Sequence, residues 1–326
     1  MRVLLLGATG LLGRNVLNRL LDRGCEVTAL VRNSHGIRDV SSSSLAVVEG
    51  SLSDMATLRD AARDCDAVIN CAGTTDMSLL SFEDYLPMNA ELCRYLAVLV
   101  ETTDTKTVVH VSTTNTIGYG TKGHPADENE PMREPFASSM YALSKREGEQ
   151  YLETAAANNP DAHVVILNPG FMVGPWDSKP SSGRLLLAGY RKPLMAAPPG
   201  GKSFVDVRDV ADAAISALTK GRNGERYLIT GEELSLKDFY RRQASVCGYR
   251  QLYLVLPSFL VAAAGVIGDL LRSLHVRTQL SSCNVRQLSV MEFYTSRKAT
   301  VELGFSPSPI DVAIKGFFDW HNSQKT

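Results

Sequence analysis

Tyr141 and Lys145 stand four residues apart, a spacing that puts the phenol and the ammonium on one face of a helix. A cation beside a phenol favours the phenolate and lowers its pKa toward the working range, so the pair could move a proton to or from a carbonyl oxygen. Upstream, Thr107-Val108-Val109-His110-Val111 reads as a strand that runs into Ser112-Thr113-Thr114-Asn115-Thr116. Hydroxyls at the carboxyl end of a parallel strand lie where open α/β sheets bind ligands. Ser138 or Ser139 suits the N-cap of the helix that carries the pair. Each feature alone has a plainer reading, since Tyr–Lys pairs decorate ordinary helices and Ser/Thr runs cap turns.

Carbonyl chemistry of this kind needs a hydride carrier, and the start of the chain offers a cradle for one. Gly7-Ala8-Thr9-Gly10-Leu11-Leu12-Gly13 follows the apolar run Val3-Leu4-Leu5-Leu6 and opens a helical pattern with Leu12, Val16 and Leu20 on one face. Gly7 suits the tight turn, Gly10 a close approach to a pyrophosphate, and Gly13 close packing of helix on sheet. The helix N-terminus adds free N–H groups for the anion. A second strand, residues 26–31, arrives at the βαβ distance. Val31 occupies the position where an NAD site carries an acid for the ribose 2′-hydroxyl, and Arg32 follows it, with Arg38 as a second cation. This favours NADP(H), with NAD(H) as the alternative.

With these residues in place, the chain resembles the extended short-chain dehydrogenase/reductase superfamily, the NAD-dependent epimerase/dehydratase family. The resemblance rests on the glycine loop; on Asn70-Cys71-Ala72-Gly73; on Ser112-Thr113; on Tyr141 and Lys145; and on the run from Asn168 to Pro175. It extends through Asp206-Val207-Arg208-Asp209-Val210-Ala211 to Tyr294-Thr295-Ser296-Arg297-Lys298-Ala299 and the run from Glu302 to Pro307. The resemblance implies a Rossmann-type α/β fold, a doubly wound parallel sheet with a smaller C-terminal substrate lobe. It implies Tyr141 as acid/base, Lys145 as its partner and Thr113 as the catalytic hydroxyl, with Ser112 or Thr114 as alternatives. It carries cofactor contacts to Thr9, Leu11 and Leu12 within the loop, to Cys71, Ala72 and Gly73, to Asn89, and to Pro169, Gly170, Phe171 and Met172. The family often has an acid before Leu52 for the adenine; Ser51 stands there instead, and Asp54 reads as a helix cap.

Within the superfamily, Thr114-Asn115 replaces the acidic pair of the dehydratases, and Val31-Arg32 departs from the NAD-retaining epimerases. The pattern resembles the dihydroflavonol reductase-like and 3β-hydroxysteroid dehydrogenase-like branch. The expected function is an NADP(H)-dependent oxidoreductase acting on the carbonyl or alcohol of a small to medium, apolar substrate. The alternatives are a nucleotide-sugar epimerase with bound NAD and a non-catalytic NADP-sensing protein. Thr114, Phe171, Trp176, Tyr190 and Phe204 are the candidate substrate contacts, while Arg184, Arg191 and Lys192 would suit a phosphate instead.

The whole chain sets bounds on these readings. Its 326 residues carry a formal net charge of −1 and no basic stripe, which argues against nucleic acid as a partner. Residues 1–170, with 208–230 returning, are expected to form the dinucleotide-binding domain; 171–205 and 231–326 form the substrate lobe. Six cysteines without a C-x-x-C pair, and no metal-ligand spacing among the histidines, fit reduced thiols in a cytoplasmic protein. The leucines after Met1 belong to the nucleotide fold rather than to a targeting signal. The apolar run from Phe259 to Leu271 contains Asp269 and is short for a bilayer span, so it reads as a buried or lid helix, with peripheral membrane contact the minority reading. A homodimer through residues 82–101 and 141–157 is an expectation by analogy with relatives.

Overall fold

The side chains of Arg2–Leu6 (β1) alternate between two layers, Val3 and Leu5 in one and Leu4 and Leu6 in the other, all four fully buried. A strand covered on both sides belongs in a parallel sheet with helices on each face. The computed structural model, which describes residues 1–179 and 181–324, shows that sheet. The chain forms Glu26–Val31 (β2), Leu45–Glu49 (β3), Ala67–Asn70 (β4), Thr107–Val111 (β5) and His163–Pro169 (β6). It leaves for Phe171–Val173 (β7), Leu194–Ala197 (β8) and Gly201–Asp206 (β9), and returns as Arg226–Ile229 (β10). The strand order is β10-β6-β5-β4-β1-β2-β3, with every neighbouring pair parallel. The order reverses between β1 and β4, which puts the crevice of a doubly wound sheet there.

Helices Leu11–Asp22 (α1), Met55–Ala62 (α2), Leu92–Thr102 (α3), Met140–Asn158 (α4), Gly183–Gly189 (α5) and Val207–Ser216 (α6) follow in chain order. α1 and α6 cover one face with Leu12, Val16, Leu20, Val210 and Ala214; α2, α3 and α4 cover the other with Leu58, Leu92, Leu96 and Leu152. Side-chain caps set the starts of α2, α4 and α6. Asp54 accepts from the amides of Ala56 and Thr57, and Ser139 from that of Ala142. Asp206 accepts from the Arg208 amide, so α6 begins at Val207.

The remaining elements are Glu232–Ser235 (β11), Leu236–Val246 (α7), Leu252–Val255 (β12), Ser258–Ser273 (α8), Ser282–Gln287 (α9), Met291–Glu292 (β13), Arg297–Leu303 (α10) and Ile310–Ser323 (α11). β11, β9 and β13 make a second sheet that β7 joins, and β12 pairs with β8. Its core is aromatic: Phe204 stacks on Phe239 at 4.1 Å, and Phe317 and Phe318 sit edge to face. α8 is not the buried helix its composition suggests. Val261, Gly265 and Gly268 are its buried residues, and its outward side is apolar yet exposed.

Backbone meets backbone at the crevice. Gly7 has φ +83°, and a Cβ there would lie 2.7 Å from the Ala72 nitrogen. A Cβ on Gly13 would lie 2.0 Å from the Gly7 carbonyl oxygen. Neither neighbour can swing away as a side chain would. Gly13→Ala should therefore lower the unfolding free energy by about 1–3 kcal/mol, the usual cost of overpacking. Chemical denaturation would measure it, and an unchanged midpoint would show that the loop has room to give.

Candidate active site

Three strand ends and one helix converge beside the crevice. From α4, the Lys145 ammonium is buried and donates to the carbonyl of Val111, the last residue of β5, at 2.8 Å. The backbone after β4 runs past it, since a Cβ on Gly73 would lie 3.6 Å from Lys145 Nζ and 3.3 Å from Asn89 Oδ1. Asn89 sits in a π-helical turn, Pro87–Glu91, a local irregularity often found at functional sites. Its amide accepts from the Thr74 nitrogen at 2.8 Å and donates to the Thr74 carbonyl and to Ser144 Oγ, each at 3.0 Å. It thus clamps the loop after β4 to α4.

The Thr113 hydroxyl accepts from the Asn115 amide at 3.3 Å and bears on the Tyr141 phenol, while the buried Tyr294 phenol has no hydrogen-bond partner among the described residues. Ser112 Oγ is buried with no hydrogen-bond partner. The spacing argument expects a lowered phenol pKa at Tyr141; the structure gives the reverse. Burial pushes Tyr141 up to about 12, and Thr113 pulls only weakly the other way. Lys145, itself held below its ordinary value by burial, directs its ammonium at the Val111 carbonyl. Desolvation sets the direction for Tyr141, and the charge that bears on the phenol, that of Glu149, pushes the same way. Tyr85, which sequence reasoning missed, places its ring 6.4 Å from that of Tyr141.

Glu149 was also missed. It lies four residues beyond Lys145 and is fully buried. It accepts from Thr116 Oγ1 at 2.7 Å, Asn168 Nδ2 at 2.7 Å and the Arg146 guanidinium at 2.9 Å. Asn168 Nδ2 also reaches the Thr113 carbonyl at 3.0 Å. The i, i+4, i+8 series from Tyr141 was the available signal for it. His110 is packed, fully buried with its Nδ1 3.1 Å from Asn70 Nδ2.

Across the crevice, α1 starts at Gly10 with no side chain capping it and no acid in its first turn. A Cβ on Gly10 would meet nothing nearer than the Gly7 carbonyl at 3.5 Å. The protein itself therefore does not require glycine at this position; the open space above it suits an anion on the helix N-terminus. Leu11 and Leu12 turn into the α1 packing layer. Thr9 supports the turn at Ser34–Ile37, where a Cβ on Gly36 would lie 2.9 Å from its methyl. Arg32 is exposed at the end of β2, with no ion pair among the described residues. Glu49, opposite Val31 on β3, is engaged by the Ser34 amide at 2.7 Å. Ser51 Oγ accepts from the Ser53 amide, and Leu52 is buried beneath α2.

The aromatic residues expected around a substrate are dispersed. Phe204 is core instead, fully buried and stacked on Phe239. Tyr190 is core as well: it stacks on Phe318 at 4.3 Å and meets Tyr249 edge-on, because α5 ends by turning it into the lobe. Trp176 leans on the Arg14 guanidinium at 4.4 Å and on Trp320, bridging α1 and α11. Phe171 and Met172, half-buried on β7, follow Pro169 and Gly170 at the end of β6. A Cβ on Gly170 would lie 2.4 Å from the Ser203 carbonyl, so this turn is pressed against β9.

Comparison with known proteins bears on the family and the fold. Residues 3–230 match the model of the NAD dependent epimerase/dehydratase family. The chain is 28% identical to sterol demethylase protein B of Methylococcus capsulatus over 325 residues, 98% of each chain. It is 28% identical to a putative dihydroflavonol 4-reductase of Synechocystis, over 96% of this chain and 92% of that one. Among solved structures, that of gox2253 superposes with a TM-score of 0.82 at 27% identity, over 99% and 98% of the two chains.

The raised Tyr141 pKa has a measurable consequence. A phenol whose folded pKa lies above its ordinary 10 stays neutral through the physiological range, and the stability this contributes is lost as pH rises from about 10 to about 12. Ultraviolet titration of the cofactor-free protein, minus that of Tyr141→Phe, should show no phenolate below about pH 10. Phenolate appearing near neutrality would mean that Lys145 dominates after all.

Proposed function

The chain belongs to the NAD dependent epimerase/dehydratase family and is an NAD(P)-dependent oxidoreductase, and from that premise we propose that it is an NADP(H)-dependent reductase of a small to medium, apolar carbonyl compound. The observation that carries the reading is Lys145 fixed on the Val111 carbonyl at the end of β5, one helical turn from Tyr141, which Thr113 bears on, across the crevice from an uncapped α1. The dinucleotide would lie with its pyrophosphate over Gly10 and the first turn of α1, between Gly7, Thr9, Leu11, Leu12 and Gly13 on one side and Cys71, Ala72 and Gly73 on the other. Asn89, Lys145 and the turn from Pro169 to Met172 would border its nicotinamide half, and Ser51 and Leu52 its adenine. When bound, this cofactor supplies or accepts a hydride.

The remaining chemistry falls to the chain's own residues. Thr113 positions the substrate oxygen by a hydrogen bond. Tyr141, protonated at neutral pH, donates its proton to that oxygen as the carbonyl is reduced, or its phenolate accepts one in the reverse direction. Lys145, fixed on the Val111 carbonyl, provides the positive charge that stabilises the phenolate left behind. Thr114 and Phe171 border the substrate. Arg32 favours the 2′-phosphate of NADP(H), because it is exposed and has no ion pair among the described residues, while the nearby Glu49 carboxylate is occupied by Ser34.

Tyr141→Phe should reduce kcat by about 10²–10⁴-fold with cofactor affinity nearly unchanged, the signature of a lost acid/base group. Turnover that survives at the native rate removes Tyr141 from the mechanism. Side-by-side fluorescence titration with NADPH and NADH should show tighter NADPH binding, and Arg32→Ala should weaken NADPH about tenfold or more while sparing NADH. A preference for NADH, or co-purified NAD, would turn the reading toward an epimerase. Gly10→Ala should leave the thermal midpoint in place and impair both cofactors.

A further inference from the structure

α8 presents to solvent the kind of surface that folded proteins usually hide. Phe259, Val266, Ile267, Leu270 and Leu274 are each 59–70% exposed and recur at helical spacing along its outer side. Its inner side is already used: Gly265 and Gly268 pack against Ser282 and Leu280 of the segment leading into α9. The helix is therefore apolar on both faces while only one is covered. The β8–β12 pair, whose β12 precedes α8 by two residues, also exposes Leu194, Leu252 and Leu254. Together they expose an apolar area on the order of several hundred Å², the size at which a patch signals an interaction surface.

Charge identifies the occupant. Arg250, Arg277 and Arg286 are exposed in the segments before and after α8, Arg272 turns inward onto the loop after β4, and the stretch from Arg250 to Arg286 holds a single acid, Asp269. An apolar helical face rimmed by arginine matches the interface of a bilayer with anionic headgroups. At 16 residues α8 is about 24 Å long, too short to cross the hydrocarbon, so it would lie in the plane of the surface. No helix among the described residues is long and apolar enough to span a membrane. A second copy fits less well, since a two-fold pairing through this face would set the arginine rims against each other.

We propose that the α8 face, with its arginine rim, docks the protein peripherally on an anionic lipid bilayer. The docked face would sit over the mouth of the candidate active site. Arg272 donates to the carbonyls of Met77 and Leu79, and Asn284 to that of Met77 at 3.1 Å, in the loop that follows β4. Cys283 reaches the Pro135 carbonyl at 3.3 Å, just before α4. An apolar substrate held in the bilayer would then have a short dry path to Tyr141. That last step rests on the proposed reductase function; lipid docking itself does not.

The test uses the full chain, floated through a density gradient with vesicles of phosphatidylcholine alone or mixed equally with phosphatidylglycerol. The protein should float with the mixed vesicles and less so as salt is raised. Ile267→Glu and, independently, Leu274→Glu should each reduce partitioning about tenfold or more. Both should keep the native thermal midpoint and NADPH binding. Protein left at the bottom of the gradient with mixed vesicles at low salt overturns the proposal, and so does equal flotation with both vesicle types. A dimer that light scattering detects and Ile267→Glu splits, without flotation, assigns the face to a second copy and overturns it too.

Discussion

The buried carboxylate of Glu149 holds α4 to the sheet. A charge removed from water is tolerated only when its oxygens are satisfied, and here Thr116, Asn168 and Arg146 do so, with Arg226 3.7 Å away. These partners come from the turn after β5, the end of β6, α4 itself and the start of β10. One anion therefore ties α4 to three strands of the large sheet. The same helix carries Tyr141 and Lys145 two turns and one turn earlier, so the tie fixes the height and rotation at which phenol and ammonium meet the end of β5. Lys145 adds a second anchor on the Val111 carbonyl, and Asn89 a third through Ser144. The site is rigid because its supports are polar groups in a dry place, where leaving any one of them unpaired is costly.

Much of the large sheet could be read from sequence because its signals are local. Strands covered on both faces are short apolar runs, helices carry a 3.6-residue stripe, and Asp54 and Ser139 mark helix starts by their chemistry alone. The glycine loop was legible for a related reason: Gly7 and Gly13 answer to backbone contacts within one βα turn and its neighbouring strand. Titration was not legible in the same way. Spacing shows that Lys145 neighbours Tyr141, but not that the ammonium turns to the Val111 carbonyl, nor how much water the fold removes from the phenol.

The small lobe was harder for a different physical reason. Its aromatic side chains suit a ligand pocket and a core equally well, and composition does not separate the two. Phe204 and Tyr190 went to the core because Phe239 and Phe318, from helices distant in sequence, arrive to stack on them. Trp176 went to Arg14, more than 150 residues earlier in the chain. The outward face of α8 shows the reverse case, where apolar composition suggested burial and no partner element among the described residues arrives to provide it.

The single helical register shared by Tyr141, Lys145 and Glu149 constrains how this chain can change. Each residue inserted in α4 would turn everything beyond it by about 100°. An insertion between Lys145 and Glu149 would keep every functional group in the sequence yet swing the carboxylate away from Thr116 and Asn168. Substitution on the outer side, at Leu143 or Gln150, leaves that phase untouched. The segment from Tyr141 to Glu149 therefore behaves as a ruler, tolerant of substitution on its outer side and intolerant of changes in length.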